Sequence, residues 1–254
     1  MVLAIDIGNT NIVIGCFQEQ TILFQERMAT NPKATSLEYA AMLKTAFEMY
    51  DIDRHTIDGS IISSVVPPVT GTVKKAVMQY IGISPMVVRY DMKTGLQIAI
   101  SYPEKLGSDL IVDAVAAMQA YPLPLIVIDM GTATTLSVID RNQQYLGGII
   151  MPGVGVSHDS LIARTAQLPK IALEPPEQVI GKNTVDCMKS GLLYGTAGAL
   201  DGLIARIQVE LGEPCTVVAT GGLANVIVPL CQSQMILDDD LLLKGLMTLY
   251  NQNK

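Results

Sequence analysis

Two glycine-containing segments combine acidic, amide and hydroxyl residues in an order suited to binding phosphate. Residues 6–11 read Asp-Ile-Gly-Asn-Thr-Asn, and residues 129–135 read Asp-Met-Gly-Thr-Ala-Thr-Thr. Glycine lets the backbone approach a ligand closely, and nearby amides and hydroxyls can donate hydrogen bonds to phosphate oxygens. A carboxylate at a strand end can hold Mg²⁺, usually through water, when a nucleotide is present. For 6–11 the competing interpretation is a tight hairpin in which Asn and Gly serve only the turn.

A third glycine segment, Thr220-Gly221-Gly222-Leu223, follows a strand predicted over 216–220. Its glycines would let an adenine or a ribose approach the backbone, although a Gly-Gly turn is also a common structural device. The sequence contains neither the Walker A pattern nor G-x-G-x-x-G, so neither a P-loop nor a Rossmann nucleotide site is supported.

The elements around the first two segments repeat along the chain. Each segment has a predicted strand before it, a return strand after it and then a third strand: 2–6, 11–18 and 22–28 in one case, 124–129, 136–140 and 145–150 in the other. Such a repeat indicates two duplicated lobes with one site between them. Pro122 and Pro124 interrupt the pattern, so we predict an N-terminal lobe over 1–121 and a C-terminal lobe over 122–254.

Apolar spacing and end signals also predict the helices. Thr35 and Glu38 have capping-box spacing, and Gly212 is placed to end a helix. Helices are predicted over 35–50, 73–80, 107–120, 199–211 and 240–251.

Composition excludes several classes of protein. With 17 basic and 24 acidic residues the net charge is −7, and 49% of residues are apolar, which excludes a disordered chain. The absence of a basic run argues against nucleic-acid and membrane-surface partners. We expect no signal peptide and no transmembrane segment. The four cysteines lack C-x-x-C spacing, so we expect reduced thiols in a cytoplasmic protein.

Motifs spread over nearly the whole chain resemble the type III pantothenate kinase family of the acetate kinase/sugar kinase/Hsp70/actin superfamily. In order, they are D-I-G-N-T-N, I-S-S-V-V-P-P (62–68), K-T-G-L (93–96), D-M-G-T-A-T-T, Y-L-G-G-I-I-M-P-G (145–153), A-x-L-P (166–169), I-G-K-N-T (180–184) and A-T-G-G-L-A (219–224). The resemblance implies an α/β fold of two duplicated actin-like, ribonuclease H-like lobes with an ATP cleft between them. It also implies that 6–15, 129–135 and 220–223 are the phosphate-1, phosphate-2 and adenosine loops.

The resemblance further implies transfer of the ATP γ-phosphoryl group to pantothenate, the first step of coenzyme A biosynthesis. It implies a homodimer that uses Mg²⁺ and a monovalent cation, K⁺ or NH₄⁺. Asp109 would be the general base, Asp129 would bind the monovalent cation, and Asp6 would hold Mg²⁺ through water. The implied ATP-binding residues are Asp6, Ile7, Gly8, Asn9, Thr10, Asn11, Ile12, Val13 and Thr132. The implied pantothenate-binding residues are Gly107, Ser108, Asp109, Leu110 and Thr184, the last of which would reach across the dimer interface.

Three residues depart from the family pattern around Asp109. Leu110 stands where the family usually has an arginine that pairs with the pantothenate carboxylate. Ile100 stands where a substrate-contacting tyrosine is common, and Asp113 replaces an asparagine. Two alternatives therefore stay open: a kinase for a less anionic hydroxyl acceptor, and a non-catalytic nucleotide-binding paralogue that acts through partners. Without the resemblance, Asp109 would be interpreted as the first-turn acid of a helix.

Overall fold

The computed structural model describes residues 1–254, which form two compact units. The first unit comprises Met1–Leu96, Ser101–Gln119 and Asp240–Lys254, and the second comprises Gln97–Ile100 and Ala120–Asp239. The C-terminal residues therefore belong to the first unit, whereas the predicted lobes place them in the second.

The elements follow one another with short connections. In the first half of the chain they are β1 (Val2–Ile7), β2 (Asn11–Gln18), β3 (Thr21–Ala29), α1 (Ser36–Met49), β4 (Gly59–Ser64), α2 (Pro67–Tyr80), β5 (Met86–Val87), β6 (Gln97–Ile98) and α3 (Ser108–Ala120). In the second half they are β7 (Leu125–Met130), β8 (Ala133–Ile139), β9 (Gln144–Pro152), α4 (Val154–Ala163), α5 (Thr184–Leu211), β10 (Thr216–Thr220), α6 (Ala224–Ile227), β11 (Ile236–Leu237) and α7 (Leu241–Asn253). No helix combines the length and the apolar character that crossing a lipid bilayer requires.

The two units contain sheets of the same design. The first sheet has the order β3-β2-β1-β4-β5, and the second has β11-β10-β7-β8-β9 with β6 added beyond β9. In the first sheet β1, β2 and β3 form an antiparallel meander, β4 runs parallel to β1, and β5 runs parallel to β4. In the second sheet β7, β8 and β9 form the corresponding meander, β10 runs parallel to β7, and β11 runs parallel to β10. This shared strand order is that of a ribonuclease H-like unit. It confirms the predicted α/β fold class with duplicated halves.

Both faces of the first sheet are covered, and all six residues of β1 are buried. The helices α1 and α2 bury apolar residues against one face, and α1 begins with the predicted capping box of Thr35 and Glu38. The helix α7 contacts β1 and β4. Its Leu243 Cδ1 would lie 2.7 Å from a Cβ on Gly15 of β2, so the absent side chain makes room for the helix. This packing explains why the C-terminal residues join the first unit.

The helices α3 and α7 approach each other closely within this unit. A Cβ on Gly245 of α7 would overlap the backbone oxygen of Val112 in α3, so only glycine permits the approach. Residues Ile111–Ala117 of α3 are all buried. The helix is therefore fixed along its length, and its first turn, which carries Asp109, has a defined position.

Candidate active site

The strands β1 and β4 end at the same edge of the first sheet. They are parallel neighbours, with Asp6 opposite Ser63 and Ile7 opposite Ser64. In open α/β sheets, ligands bind beyond the carboxyl ends of such strands. Asp6 is buried at this edge, with 9% of its surface exposed. The first predicted loop thus leaves the sheet where a binding site is expected on topological grounds.

Hydrogen bonds hold the loop that follows β1 in one conformation. The Gly8 amide donates to the Asn11 carbonyl at 3.0 Å, and the Thr30 hydroxyl donates to the Gly8 carbonyl at 2.6 Å. Asn9 and Thr10, at the tip of the loop, are exposed and accessible to a ligand. The loop therefore presents polar groups from a fixed backbone, as phosphate binding requires.

Not all residues of the predicted ATP segment can use their side chains for binding. The side chains of Ile7 and Ile12 are buried in the hydrophobic core of the first unit. They fix the two ends of the loop because Ile7 lies opposite Ile12 in the β1–β2 hairpin. Asn11 and Val13 are half-buried. The residues of the segment that are exposed or half-buried, and so accessible to a ligand, are Gly8, Asn9, Thr10, Asn11 and Val13.

The Ser108 hydroxyl ties α3 to the end of β4. It lies 3.0 Å from the Ser63 hydroxyl, accepts a hydrogen bond from the Ser64 amide at 2.9 Å and donates to the Ser64 carbonyl at 3.0 Å. Ser108, predicted to bind substrate, thus anchors the helix. The serine pair 63–64 was not predicted as part of the site. A doublet of hydroxyl residues at the end of a buried strand is the signal that could have identified it.

Asp109 lies in the first turn of α3, directly beyond this anchor. It is half-buried, and its Oδ1 accepts a hydrogen bond from the Leu110 amide at 2.9 Å. A Cβ on Gly107 would overlap Oδ1, so glycine is required for this carboxylate position. Burial raises the pKa of Asp109 above its ordinary value, and backbone hydrogen bonds from Leu110 and from Asp109 itself oppose the rise. A positioned carboxylate with a raised pKa is suited to accept a proton.

The second unit presents a matching acidic segment. Asp129 of β7 lies opposite Thr220 of β10, and these strands are parallel. Gly221, which has a positive φ of 97°, follows directly, and a Cβ there would overlap Asp129 Oδ1. The two glycine segments predicted independently, 129–135 and 220–223, therefore meet at the ends of β7 and β10.

Backbone hydrogen bonds also hold this second loop. The Gly131 amide donates to the Ala133 carbonyl at 3.1 Å, and Thr132 at the loop tip is exposed. The Thr132 carbonyl accepts from the Gly153 amide at 3.1 Å, and a Cβ on Gly153 would lie 2.5 Å from the Gly131 carbonyl oxygen. Carboxylate and carbonyl oxygens are the donors that hard cations prefer. No cluster of three or more His, Cys, Asp or Glu side chains forms a metal cage anywhere in the chain.

Thr184 is the first residue of α5 and is exposed. The side chain of Asn183 caps the helix by accepting from the Asp186 amide at 2.9 Å. Thr184 lies on the rim of an apolar groove of about 390 Å³, whose other lining residues are Leu161, Leu168, Cys187, Met188, Gly191 and Leu192. Its predicted contact with substrate across a dimer interface stays a prediction.

Comparisons with known proteins show which family this chain resembles. The family model described as type III pantothenate kinase matches residues 2–206. Two curated proteins with that name align over the full length of both chains: one from Exiguobacterium sibiricum is 43% identical over 254 residues, and one from Halalkalibacterium halodurans is 40% identical over 253 residues. Among solved structures, (R)-2-hydroxyglutaryl-CoA dehydratase component A from Acidaminococcus fermentans has a TM-score of 0.57 at 15% identity, covering 98% of this chain and 96% of its own. At that identity the likeness concerns the fold.

Proposed function

This chain belongs to the type III pantothenate kinase family, and from that premise we propose that it transfers the γ-phosphoryl group of ATP to pantothenate. The products are ADP and 4′-phosphopantothenate, in the first step of coenzyme A biosynthesis. The observation that carries the proposal is the Asp109 carboxylate, fixed against Gly107 at the edge where β1 and β4 end. The predicted cytoplasmic localisation remains a prediction.

Phosphoryl transfer in this site needs one proton acceptor and a fixed geometry. The primary hydroxyl oxygen of the acceptor attacks the γ-phosphorus, and the bond from that phosphorus to the β,γ-bridging oxygen breaks, so that ADP leaves with the electron pair. The hydroxyl proton passes to the carboxylate of Asp109. Because burial raises the pKa of Asp109, its carboxylate is a stronger base than an exposed one.

We propose that the 6–13 segment and Thr132 contact ATP. In the first unit the exposed Asn9 and Thr10 supply polar groups, and the buried Asp6 lies near the end of β1 opposite Ser63. Mg²⁺ commonly binds through one or two carboxylates together with nucleotide phosphates, which fits the single Asp6. When bound, Mg²⁺ neutralises charge that develops on the phosphates.

We propose that Asp129 binds the activating monovalent cation. The support is chemical: Asp129 supplies a carboxylate, a donor that hard cations prefer, at the end of β7. We also propose a homodimer in which Thr184 contacts the acceptor bound by the other protomer. The exposed position of Thr184 beside an apolar groove supports that arrangement.

A second candidate function follows from Leu110. This residue puts an apolar side chain in the first turn of α3, directly beside the proposed base. Losing a guanidinium partner for a buried carboxylate costs about 2–5 kcal/mol if nothing replaces it. The second candidate is therefore a kinase of the same mechanism that phosphorylates an uncharged hydroxyl acceptor.

One assay separates the two candidates. ADP release by the full chain is measured with ATP and Mg²⁺, with pantothenate or with pantothenol, in which a –CH₂OH group replaces the carboxylate. We expect turnover that depends on pantothenate and is faster with K⁺ or NH₄⁺ than with Na⁺. A phosphorylated product detected by mass spectrometry completes the test. Turnover with pantothenol but not pantothenate would favour the second candidate, and no turnover with either would contradict both.

Replacing Gly107 by Ala tests the position of the base. The new Cβ would overlap Asp109 Oδ1, so the carboxylate must rotate away while the backbone remains. A displacement of about 1 Å can cost about 10²-fold in rate, so we expect kcat to fall by at least about tenfold with little change in Tm. The matched control is Gly71→Ala in α2, where nothing lies within 4 Å of the new Cβ. Equal kcat values for the two variants would show that the Asp109 position does not matter.

A further inference from the structure

The first turn of α3 supplies no cation for an anionic acceptor. Pantothenate carries its carboxylate at the end opposite the primary hydroxyl, so its site has to balance a negative charge away from the base. Asp109 is itself acidic, and the next residue, Leu110, is apolar and half-buried. The balancing charge must come from another residue.

Lys105 is the basic residue nearest to Asp109 in the sequence. It is the only Lys or Arg within 94–140. It ends the short 3₁₀ turn Pro103–Lys105, which leads through one residue into Gly107. A cation at this place precedes the proposed base on the same continuous segment of the first unit.

The Lys105 ammonium is held in place without being neutralised. Its Nζ lies 4.5 Å from the centroid of the Tyr102 ring, and its backbone amide donates to the Tyr102 carbonyl at 3.0 Å. No carboxylate lies within ion-pair distance of Lys105, whereas the exposed Arg89 of the same unit is paired with Asp91 at 2.8 Å. A cation–π contact orients an ammonium and leaves its charge available. Since Tyr102 is 60% exposed, the pair is open to a ligand.

The spacing of Lys105 and Asp109 suits the length of the acceptor. About eight bonds separate the primary hydroxyl oxygen of pantothenate from its carboxyl carbon, a distance of about 10 Å in the extended molecule. The four-residue step from Lys105 to Asp109 can span at most about 14 Å. The Asp109 carboxylate accepts a hydrogen bond from the Leu110 amide at 2.9 Å and forms no ion pair with a lysine or an arginine. The two charged groups are thus separate, as the two ends of the acceptor require.

We infer that Lys105, held against Tyr102, binds the carboxylate of the acceptor and so selects pantothenate over uncharged analogues. The inference rests on the proposed kinase activity and adds the residue that gives it an anionic acceptor. It also explains how the chain can use pantothenate although Leu110 stands where the family usually has arginine.

The test compares wild type and Lys105→Ala on pantothenate and on pantothenol. We expect KM for pantothenate to rise by at least about tenfold, while kcat, KM for ATP and KM for pantothenol stay within about twofold. Tyr102→Phe, which keeps the ring, should retain the wild-type KM, and Tyr102→Leu should raise it. The matched control is Lys254→Ala, which removes an ammonium 6.0 Å from the Tyr250 ring and should change nothing.

The outcomes separate this inference from the proposed function. If wild type turns over pantothenate and Lys105→Ala has the same KM, the inference is wrong and the kinase assignment stands. If Lys105→Ala raises KM equally for pantothenate and pantothenol, Lys105 has a structural role and the inference is also wrong. If wild type does not turn over pantothenate, the proposed function and the inference both fail.

Discussion

Replacing Asp109 by Asn is expected to leave a folded protein that binds ATP but phosphorylates pantothenate at least about 10²-fold more slowly. The amide keeps the shape of the side chain, and its Oδ1 can still accept the hydrogen bond from the Leu110 amide that Asp109 accepts at 2.9 Å. What it loses is the ability to take the hydroxyl proton. The measurements are kcat from ADP release and Kd for ATP by titration.

The same substitution should raise thermal stability at neutral pH. Burial raises the pKa of Asp109 in the folded protein, so the folded state binds the proton more tightly than the unfolded state does. The stability contributed by the protonated form is complete below the unfolded pKa and is lost as pH rises through the folded pKa. Position in the first turn of α3 favours the ionised form through the helix dipole, which opposes the effect of burial. Asn carries no such charge to bury.

Thermal melts at pH 7.5 and at pH 4 measure this effect. Asp109→Asn should exceed wild type in Tm at the higher pH, and the difference should shrink at the lower pH. The control is Asp91→Asn, an exposed aspartate of the same unit, which should keep wild-type kcat. Substantial pantothenate turnover by Asp109→Asn would remove Asp109 from the role of base. A lower Tm at pH 7.5 would show that its charge is stabilising after all.

The duplicated strand–loop–strand openings could be predicted because their signal is local. A buried strand, an acidic residue, a glycine and a return strand all lie within about twenty residues of chain, and the predicted strand over 216–220 matches β10. The helix α5 was predicted only from 199, although it begins at Thr184. Three glycines, at 191, 195 and 198, lower the helix propensity of the part before residue 199, and burial of Met188 and Leu193 compensates. The low helix propensity can be read from the sequence, whereas the burial that compensates for it is seen only in the structure.

The contacts that position Asp109 could not be predicted, because they join distant parts of the chain. Ser63 and Ser108 are 45 residues apart, and the packing of α7 on the first unit brings the last helix back to the first strand. The family motif identifies Asp109 and Gly107, but it does not show how the two residues contact each other. That Gly107 makes room for the carboxylate is a fact of three-dimensional packing.

Replacing Gly221 by Ala is expected to destabilise the protein strongly. Gly221 has a φ of 97°, which an L side chain rarely adopts. The new Cβ would also overlap Asp129 Oδ1 and lie 2.5 Å from the Met130 backbone nitrogen. Because the Met130 backbone belongs to β7 and cannot rotate away, β10 has to shift from its neighbour. Backbone strain and overpacking of about 1–3 kcal/mol each add here, so we expect a loss of about 2–6 kcal/mol in the free energy of unfolding.

Gly212→Ala separates the cost of backbone strain from the cost of overpacking. Gly212 ends α5 in the left-handed conformation, with a φ of 75°, and nothing lies within 4 Å of a Cβ built there. It therefore reports strain alone, about 1–2 kcal/mol. Urea unfolding of both variants gives the comparison. A Gly221→Ala loss no larger than that of Gly212→Ala would contradict the close approach to Asp129. If the loss is larger, activation by K⁺ should also weaken in Gly221→Ala and persist in Gly212→Ala, because only the first displaces the carboxylate proposed to bind the cation.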